Sequence, residues 1–242
     1  MVLNRIAPGA GVYETFEEAQ RVAQSLGLNG HEDISLTDSH SPFLRESDFH
    51  VLRWLQQIHA RRLLDFGGSI GNLYYLYQCQ LETPVGEWMV CELPHVVEEG
   101  RRTALAKGAT GLGFTSELSD GRGFDAFLAS GSLHYWDRPI SSLFGTIGSL
   151  PRHFMINRSP FTERRTSFSI IQRFAQSAVP ALVRSSQSFV AEMADLGYAL
   201  VDRWHEPSRG VALPLFPGYE IEAYSGFYFR LGGQDHEQRE SS

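Results

Sequence analysis

The residues best suited to bind a ligand lie in the segment LLDFGGSIGN, residues 63–72. An apolar run ends in Asp65, and Gly67, Gly68 and Gly71 then form a tight turn before a helical pattern begins. Glycine lets the backbone approach a ligand closely because it has no Cβ, and the start of the helix supplies free N–H groups. In an open α/β sheet, ligands bind beyond this end of a strand. The segment therefore predicts a binding crevice.

An acidic side chain, Glu92, follows the next apolar run, WMVC at residues 88–91. A carboxylate at the end of a second strand can accept hydrogen bonds from both hydroxyl groups of a ribose. A glycine turn alone is equally compatible with a structural loop. Its combination with a preceding strand, a following helix and an acid about twenty residues downstream favours a nucleoside cofactor.

The elements that must position these residues alternate along the chain. From residue 62 onward, short apolar runs typical of strands alternate with helical patterns. The last two apolar runs, 198–204 and 224–230, are separated only by a loop. This pattern predicts an α/β fold, in which helices cover both faces of a parallel sheet with an antiparallel end. The predicted divisions are a core domain at 61–231, a cap insertion near 158–184 and a disordered tail at 232–242.

The N-terminal segment, residues 1–60, is predicted to be helical and to cap the cofactor. Thr15 and Glu18 form a capping-box pattern at the start of a first amphipathic helix. Ser47 is the expected cap of a second helix, whose apolar stripe includes Phe49.

The glycine segment resembles the motif of the class I S-adenosylmethionine (SAM) dependent methyltransferases, an acid followed by glycines at alternate positions. Asp65, Gly67 and Gly71 match this motif, and Ser69 stands where its middle glycine is usual. The resemblance implies SAM as cofactor, held by these residues with Gly68 and Glu92. It also implies a Rossmann-like sheet of seven strands, mostly parallel, with an antiparallel last strand.

Two later segments narrow the resemblance. INRSPF at 156–161 and YSGFYFR at 224–230 are similar to a little-characterised bacterial family of methyltransferases. The similarity runs from about Gly11 to Arg230. Its motifs say little about the acceptor, which we expect to be a small molecule or glycan precursor methylated at oxygen.

Two other functions remain as alternatives. A nicotinamide-dependent oxidoreductase prefers G-x-G-x-x-G at this turn, and neither Gly67 nor Gly68 begins that pattern. The Tyr-x-x-x-Lys pair of short-chain dehydrogenases is impossible, because Lys107 is the only lysine and Thr103 stands four residues before it. The second alternative is a catalytically silent binding module with a methyltransferase-like fold.

Loops after the third and fourth strands are expected to complete the cofactor site. Ser116 and Glu117 are placed to reach the adenine edge, and a solvated loop is the alternative for them. Ser130 and Gly131 are expected to pass under the cofactor.

The acceptor side is predicted from polar residues at the same edge of the sheet. His134 is the candidate catalytic base for a hydroxyl acceptor, since imidazole titrates in the right range; a packing histidine is the alternative. Tyr135 is expected to face the acceptor. Arg158 and Arg164 belong to an arginine-rich segment that would bind an anionic substrate or simply be solvated.

Composition excludes several other classes of protein. A formal charge of −7 argues against nucleic-acid binding. No apolar run approaches the ~20 residues of a membrane span, and no Cys/His cluster has metal-ligand spacing. We expect a cytoplasmic enzyme with a small-molecule substrate and no metal, and the oligomeric state is not predicted.

Overall fold

The computed structural model describes residues 5–26, 30, 43–174 and 177–232. Its helices are α1 Phe16–Ser25, α2 Glu46–Ile58, α3 Asn72–Tyr77, α4 Pro94–Lys107, α5 Ile140–Ile147 and α6 Ser186–Asp195. Its strands are β1 Arg5–Tyr13, β2 Arg62–Phe66, β3 Glu87–Cys91, β4 Leu112–Thr115, β5 Ala126–Ser130, β6 His153–Ser159, β7 Phe161–Thr162, β8 Phe168–Arg173, β9 Ala178–Ser185, β10 Tyr198–Glu206, β11 Arg209–Ala212 and β12 Tyr224–Leu231.

The central sheet has seven strands in the order β10-β12-β6-β5-β2-β3-β4. Strands β2 to β6 pair in parallel, whereas β12 is antiparallel to both of its neighbours, β6 and β10. The predicted seven-stranded, mostly parallel sheet with an antiparallel last strand is confirmed.

Helices cover both faces of this sheet because its central strands are apolar on both sides. In β2, the consecutive residues Leu63 and Leu64 are fully buried and belong to different hydrophobic clusters. The Leu63 cluster includes residues of α2, α3 and α4, and the Leu64 cluster includes residues of α5 and α6. Strands buried on both faces are typical of such α/β layers.

The register of the parallel strands brings their carboxyl ends to one edge. Phe66 lies opposite Cys91, and Cys91 lies opposite Thr115. On the other side of β2, Ser130 at the end of β5 lies opposite Asn157. The loops that follow these strands therefore meet at the same edge of the sheet.

A second sheet, in the order β11-β1-β8-β9-β7, corrects the predicted N-terminal segment. Residues 5–13, predicted as part of a helical segment, instead form β1, which pairs with β8 and β11. These partners are distant in the sequence, so no local pattern indicates them. The predicted insertion at 158–184 contains strands β7, β8 and β9.

The predicted capping residue is confirmed at the start of α1 and is wrong at the start of α2. The Thr15 hydroxyl accepts a hydrogen bond from the Glu18 backbone N–H at 3.1 Å. Ser47, in contrast, is buried inside α2 and does not cap it. The residue at the start of α2 is Arg45, whose backbone N–H donates to the Asp48 carboxylate at 2.8 Å. Phe49 is 59% exposed, so the predicted apolar stripe is wrong at this position.

Two further observations concern the predicted C-terminal tail and membrane-spanning helices. The predicted tail, 232–242, lies outside the described residues except for Gly232. Within the part of the chain that the structure describes, no helix is both long enough and apolar enough to span a membrane.

Candidate active site

A cavity of about 600 Å³ opens at the edge where the parallel strands end. Loops after β2, β3, β4 and β5 form one wall, and residues of β8 and β11 from the second sheet contribute to the opposite wall. The predicted site residues that line this cavity are Gly67, Gly68, Ser69, Glu92, Ser116, Ser130, Gly131, His134, Tyr135 and Arg158.

The glycine turn has the left-handed backbone that its residue types suggest. Gly67 has a φ of +69°, and an added Cβ would lie 2.4 Å from the Cβ of Ser132. Ser69 also has a positive φ, +55°, which explains why glycine is usual at this position of the motif. Its buried hydroxyl has no hydrogen-bond partner among the described residues. The turn therefore leaves a polar group available to a ligand.

Glu92 is held beside this turn by two backbone hydrogen bonds. Its carboxylate accepts from the N–H of Ser69 at 3.1 Å and from the N–H of Leu93 at 2.9 Å. Burial raises the pKa of Glu92, and the two backbone donors oppose that effect. A carboxylate offers about four lone-pair positions. Two further hydrogen bonds can therefore be accepted from a ligand in the cavity.

Asp65, a predicted cofactor ligand, does not reach the cavity. It is fully buried below the glycine turn, where one carboxylate oxygen accepts from the Trp88 indole N–H at 3.0 Å. An added Cβ on Gly68 would lie 2.4 Å from that same oxygen. Burial raises the pKa of Asp65 to about 7, and the neighbouring Glu92 adds to the rise. Asp65 therefore packs beneath Gly68 of the turn and does not line the cavity.

Three other predicted residues also lie away from the cavity. Gly71 faces β4, since an added Cβ would lie 2.7 Å from the Leu112 side chain. Glu117 is not part of the cavity lining, and its backbone N–H donates to the Thr115 hydroxyl at 3.0 Å. Arg164 is exposed outside the cavity.

A chain of hydrogen bonds links the two walls of the cavity. The Tyr135 hydroxyl donates to the Gln172 side-chain carbonyl at 2.8 Å, and the Gln172 amide donates to the Tyr224 hydroxyl at 2.9 Å. The imidazole of His134 lies against the first ring of this chain, with ring centroids 4.1 Å apart. His134 is 4% exposed, in the short 3₁₀ turn Leu133–Tyr135 after β5. These hydrogen bonds fix the rings of Tyr135 and Tyr224 next to the His134 imidazole.

The protonation of the neighbouring groups narrows the choice of a base. Burial raises the pKa of Tyr135, and it raises the pKa of Tyr224 to about 12. Burial, followed by the charge of Glu92, raises the pKa of Cys91 to about 12. These three groups are therefore protonated at neutral pH and do not act as bases there.

A buried polar network that includes residues of the cavity lining was not predicted from the sequence. Asp48 accepts hydrogen bonds from the Tyr77 hydroxyl at 2.7 Å and from the Asn157 amide at 3.1 Å. It also lies 3.6 Å from the Arg158 guanidinium, which in turn donates to the Ser130 hydroxyl at 2.8 Å. The network thus connects α2, α3, β5 and β6 at the edge of the sheet.

Several cavity residues had no signal in the sequence. Arg209 and Gln172 come from the second sheet, and Arg45 lies at the start of α2. Asn72, in contrast, directly follows the glycine motif, and that position could have indicated it. The residues that the structure describes contain no group of His, Cys, Asp and Glu side chains arranged to hold a metal ion.

Comparison with known proteins identifies the fold. No protein-family model and no curated protein matches the sequence. Among solved structures, a 1,6-didemethyltoxoflavin-N1-methyltransferase of Burkholderia thailandensis matches over 93% of both chains at 17% identity, with a TM-score of 0.54. The chain has the class I methyltransferase fold.

Two further solved structures agree with this fold. A SAM-dependent methyltransferase of Clostridium acetobutylicum is 12% identical, with 90% of this chain and 99% of that chain covered and a TM-score of 0.50. A SAM-dependent methyltransferase of Mesorhizobium loti is 16% identical, with 81% and 100% covered and a TM-score of 0.50. Because these identities are low, the likeness defines the methyltransferase fold, and function is argued from the site.

Proposed function

We propose that the protein is a SAM-dependent methyltransferase that acts on a small molecule or glycan precursor, with oxygen as the acceptor atom. The observation that carries this proposal is the position of Glu92 beside the glycine turn, at the entrance to a cavity of about 600 Å³. The Burkholderia thailandensis neighbour was solved with S-adenosylhomocysteine and 1,6-didemethyltoxoflavin, which is consistent with a nucleoside and a small acceptor in one cavity of this fold.

The glycine turn at residues 67–71, with Glu92 and Gly131 at the same edge of the central sheet, is called the glycine edge here, and its residues fit this cofactor. Glu92 would accept hydrogen bonds from the ribose, and the Ser69 hydroxyl, buried without a partner within the described ranges, would bind a polar group. Gly131 has a φ of +81°, and an added Cβ would meet nothing closer than 4.0 Å, so its surroundings are open. SAM supplies a methyl group already activated on a sulfonium, so alignment of the acceptor and exclusion of water are the main tasks of the chain.

His134 is the residue that we assign to proton removal. A hydroxyl acceptor must lose its proton as the methyl group arrives, and a neutral imidazole can take that proton. The neighbouring phenol of Tyr135 is protonated and engaged with Gln172, so it orients rather than accepts. His134 lies in the short turn after β5, so its imidazole is positioned by the same strand end that carries Ser130 and Gly131.

Calorimetry with purified protein tests the assignment of the cofactor. S-adenosylhomocysteine should bind the protein, and NAD should bind more weakly or not at all. Mass spectrometry of the protein as purified should detect SAM or S-adenosylhomocysteine. Tighter binding of NAD than of S-adenosylhomocysteine would instead support the oxidoreductase, and binding without methyl transfer to any tested acceptor would support a silent module.

A further inference from the structure

Four arginines line the cavity, Arg45, Arg158, Arg173 and Arg209, and the charges of Arg45, Arg158 and Arg209 act on one another. Arg45 stands at the start of α2, Arg158 near the end of β6 and Arg209 at the start of β11. Burial, followed by the charges of Arg209 and Arg158, lowers the pKa of Arg45 to about 10, and the charges of Asp48 and Glu206 oppose this effect. Partial burial of its side chain, followed by the charge of Arg158, also lowers the pKa of Arg209, although the residue as a whole is exposed. Their positive charges are therefore close enough to repel one another.

The carboxylates nearby offset these charges without forming an ion pair to Arg45 or Arg209 in the part of the chain that the structure describes. Asp48 pairs with Arg158 at 3.6 Å. The charge of Glu206 raises the pKa of both Arg45 and Arg209, while its carboxylate accepts hydrogen bonds from the backbone N–H groups of Ser47 at 3.2 Å and Ser208 at 3.1 Å. In the described ranges, neither Arg45 nor Arg209 has a carboxylate within 4.0 Å.

Unpaired guanidinium groups around a cavity indicate an anionic ligand. Bringing like charges together is unfavourable unless an opposite charge joins them. The planar guanidinium binds carboxylate and phosphate groups through two parallel hydrogen bonds. Arg209 lines the same cavity as Tyr135 and Tyr224, and its charge opposes the rise in the pKa of both phenols. An anion held there would lie next to the His134 side of the cavity.

We propose that the methyl acceptor is an anionic small molecule, and that Arg45 and Arg209 bind its carboxylate or phosphate group. This proposal rests on the methyltransferase function proposed above. Arg158 is already engaged with Asp48 and Ser130, so it adds positive charge and holds the wall in place. The competing occupant of the arginines is the carboxylate of the cofactor itself. Arg209 argues for the acceptor because it comes from the second sheet, whereas the glycine turn and Glu92 belong to the central sheet.

Calorimetry with two probe anions tests this proposal. Inorganic phosphate and benzoate are titrated into the protein, with and without saturating S-adenosylhomocysteine. Arg45→Met and Arg209→Met remove the charge and keep the length of the side chain. Arg102→Met, at a position 78% exposed on α4, is the matched control. Arg45→Lys and Arg209→Lys retain the charge, in case the methionine variants do not fold.

We expect at least one anion to bind in the presence of S-adenosylhomocysteine. Its affinity should fall at least 10-fold in Arg45→Met and Arg209→Met and less in the lysine variants, with no change in Arg102→Met. The anion that binds more tightly identifies the group on the acceptor as carboxylate or phosphate.

Three results would overturn the proposal. Neither anion binds, or the affinity is the same in the wild type and in all the variants, or S-adenosylhomocysteine displaces the anion. The last result would assign the arginines to the cofactor. If S-adenosylhomocysteine itself does not bind, the methyltransferase function fails, and the titrations without it then show whether an anion site exists independently of that function.

Discussion

Asp48 and Arg158, which both line the cavity, form an ion pair with Oδ1 and Nη1 3.6 Å apart. The Asp48 side chain is 1% exposed and the Arg158 side chain is 12% exposed. Arg158 has a φ of +54°, a conformation that is uncommon for residues other than glycine and that often occurs at functional sites. Because the same guanidinium donates to Ser130, the ion pair fixes the loop after β5.

Removal of Asp48 should strongly destabilise the protein. Asp48→Ala leaves the Arg158 charge buried and removes the acceptor of the Tyr77 hydroxyl, so the free energy of unfolding should fall by about 3–5 kcal/mol. The exposed pair of Arg62 and Glu87 offers a comparison, because Glu87→Ala should cost less than about 1 kcal/mol. Urea denaturation measures both. Similar small losses in the two variants would contradict a structural role for the buried pair.

Glu92→Ala should weaken SAM binding by roughly 2–4 kcal/mol, since charged hydrogen bonds to the ribose are lost. The variant also leaves the backbone N–H of Ser69 without its acceptor. Calorimetry with S-adenosylhomocysteine measures the change. Glu98→Ala, on the exposed side of α4, is the control and should bind normally. An unchanged affinity in Glu92→Ala would reject the assigned cofactor site.

Gly67→Ala should abolish cofactor binding. The new Cβ would lie 2.4 Å from the Cβ of Ser132, so the turn and the loop after β5 must move apart. Gly123→Ala is a matched control, because Gly123 has a similar φ of +77° and its Cβ would meet nothing within 4 Å. Both variants should lose about 1–2 kcal/mol of stability from backbone strain. Only Gly67→Ala should lose S-adenosylhomocysteine, and equal binding by the two would make the turn merely structural.

Asp65→Asn should change how stability depends on pH. The pKa of Asp65 is about 7 in the folded protein and about 3.9 when unfolded, so the folded state binds the proton more tightly. Stability of the wild type should therefore fall as the pH rises from about 4 to 7. At pH 8, Asp65→Asn should be more stable than the wild type, by up to about 4 kcal/mol, with a smaller difference at pH 5.

Urea denaturation at several pH values measures this difference. The Asn side chain can still accept the hydrogen bond from Trp88. Asp195→Asn, at an exposed position of α6, is the matched control. If the stability of Asp65→Asn followed that of the wild type at every pH, Asp65 would not be the group that titrates.

His134→Gln should lower turnover by roughly 10²–10⁴-fold with little change in SAM affinity, because glutamine can hydrogen-bond but cannot act as a base. Transfer from radiolabelled SAM to small anionic acceptors provides the assay. The low-pH decline of the rate should disappear in the variant if the imidazole is the base. Tyr135→Phe should retain that decline, since its phenol is protonated throughout. Full activity of His134→Gln would leave only a positioning role for this residue.

The central sheet and the glycine edge were predictable because their signals are local. A strand, a glycine turn and an acid at a fixed distance are all visible in the sequence around Asp65 and Glu92. Their distinct placements were not visible, because only the fold shows that Asp65 is buried beneath Gly68 while Glu92 faces the cavity.

The opposite wall was not predictable for the same physical reason. Gln172 and Arg209 reach the cavity only because β8 and β11 join β1 in a second sheet. Pairing between strands so far apart in the sequence depends on tertiary context and not on local propensity. Arg164 illustrates the converse, since its arginine-rich surroundings suggested a ligand and its side chain is exposed outside the cavity.

The double origin of the cavity has a consequence for how such a protein can diversify. The glycine edge packs with the clusters of the central sheet, whereas β8 and β11 contribute to a separate cluster that includes Ile170 and Val211. Mutations at Arg209 therefore alter one wall without repacking the other, whereas mutations at Gln172 also remove the hydrogen bond to Tyr135 on the other wall. A lineage could exchange one small-molecule partner for another through the second sheet alone, and a directed-evolution library restricted to β8 and β11 should shift selectivity while the glycine edge remains unchanged.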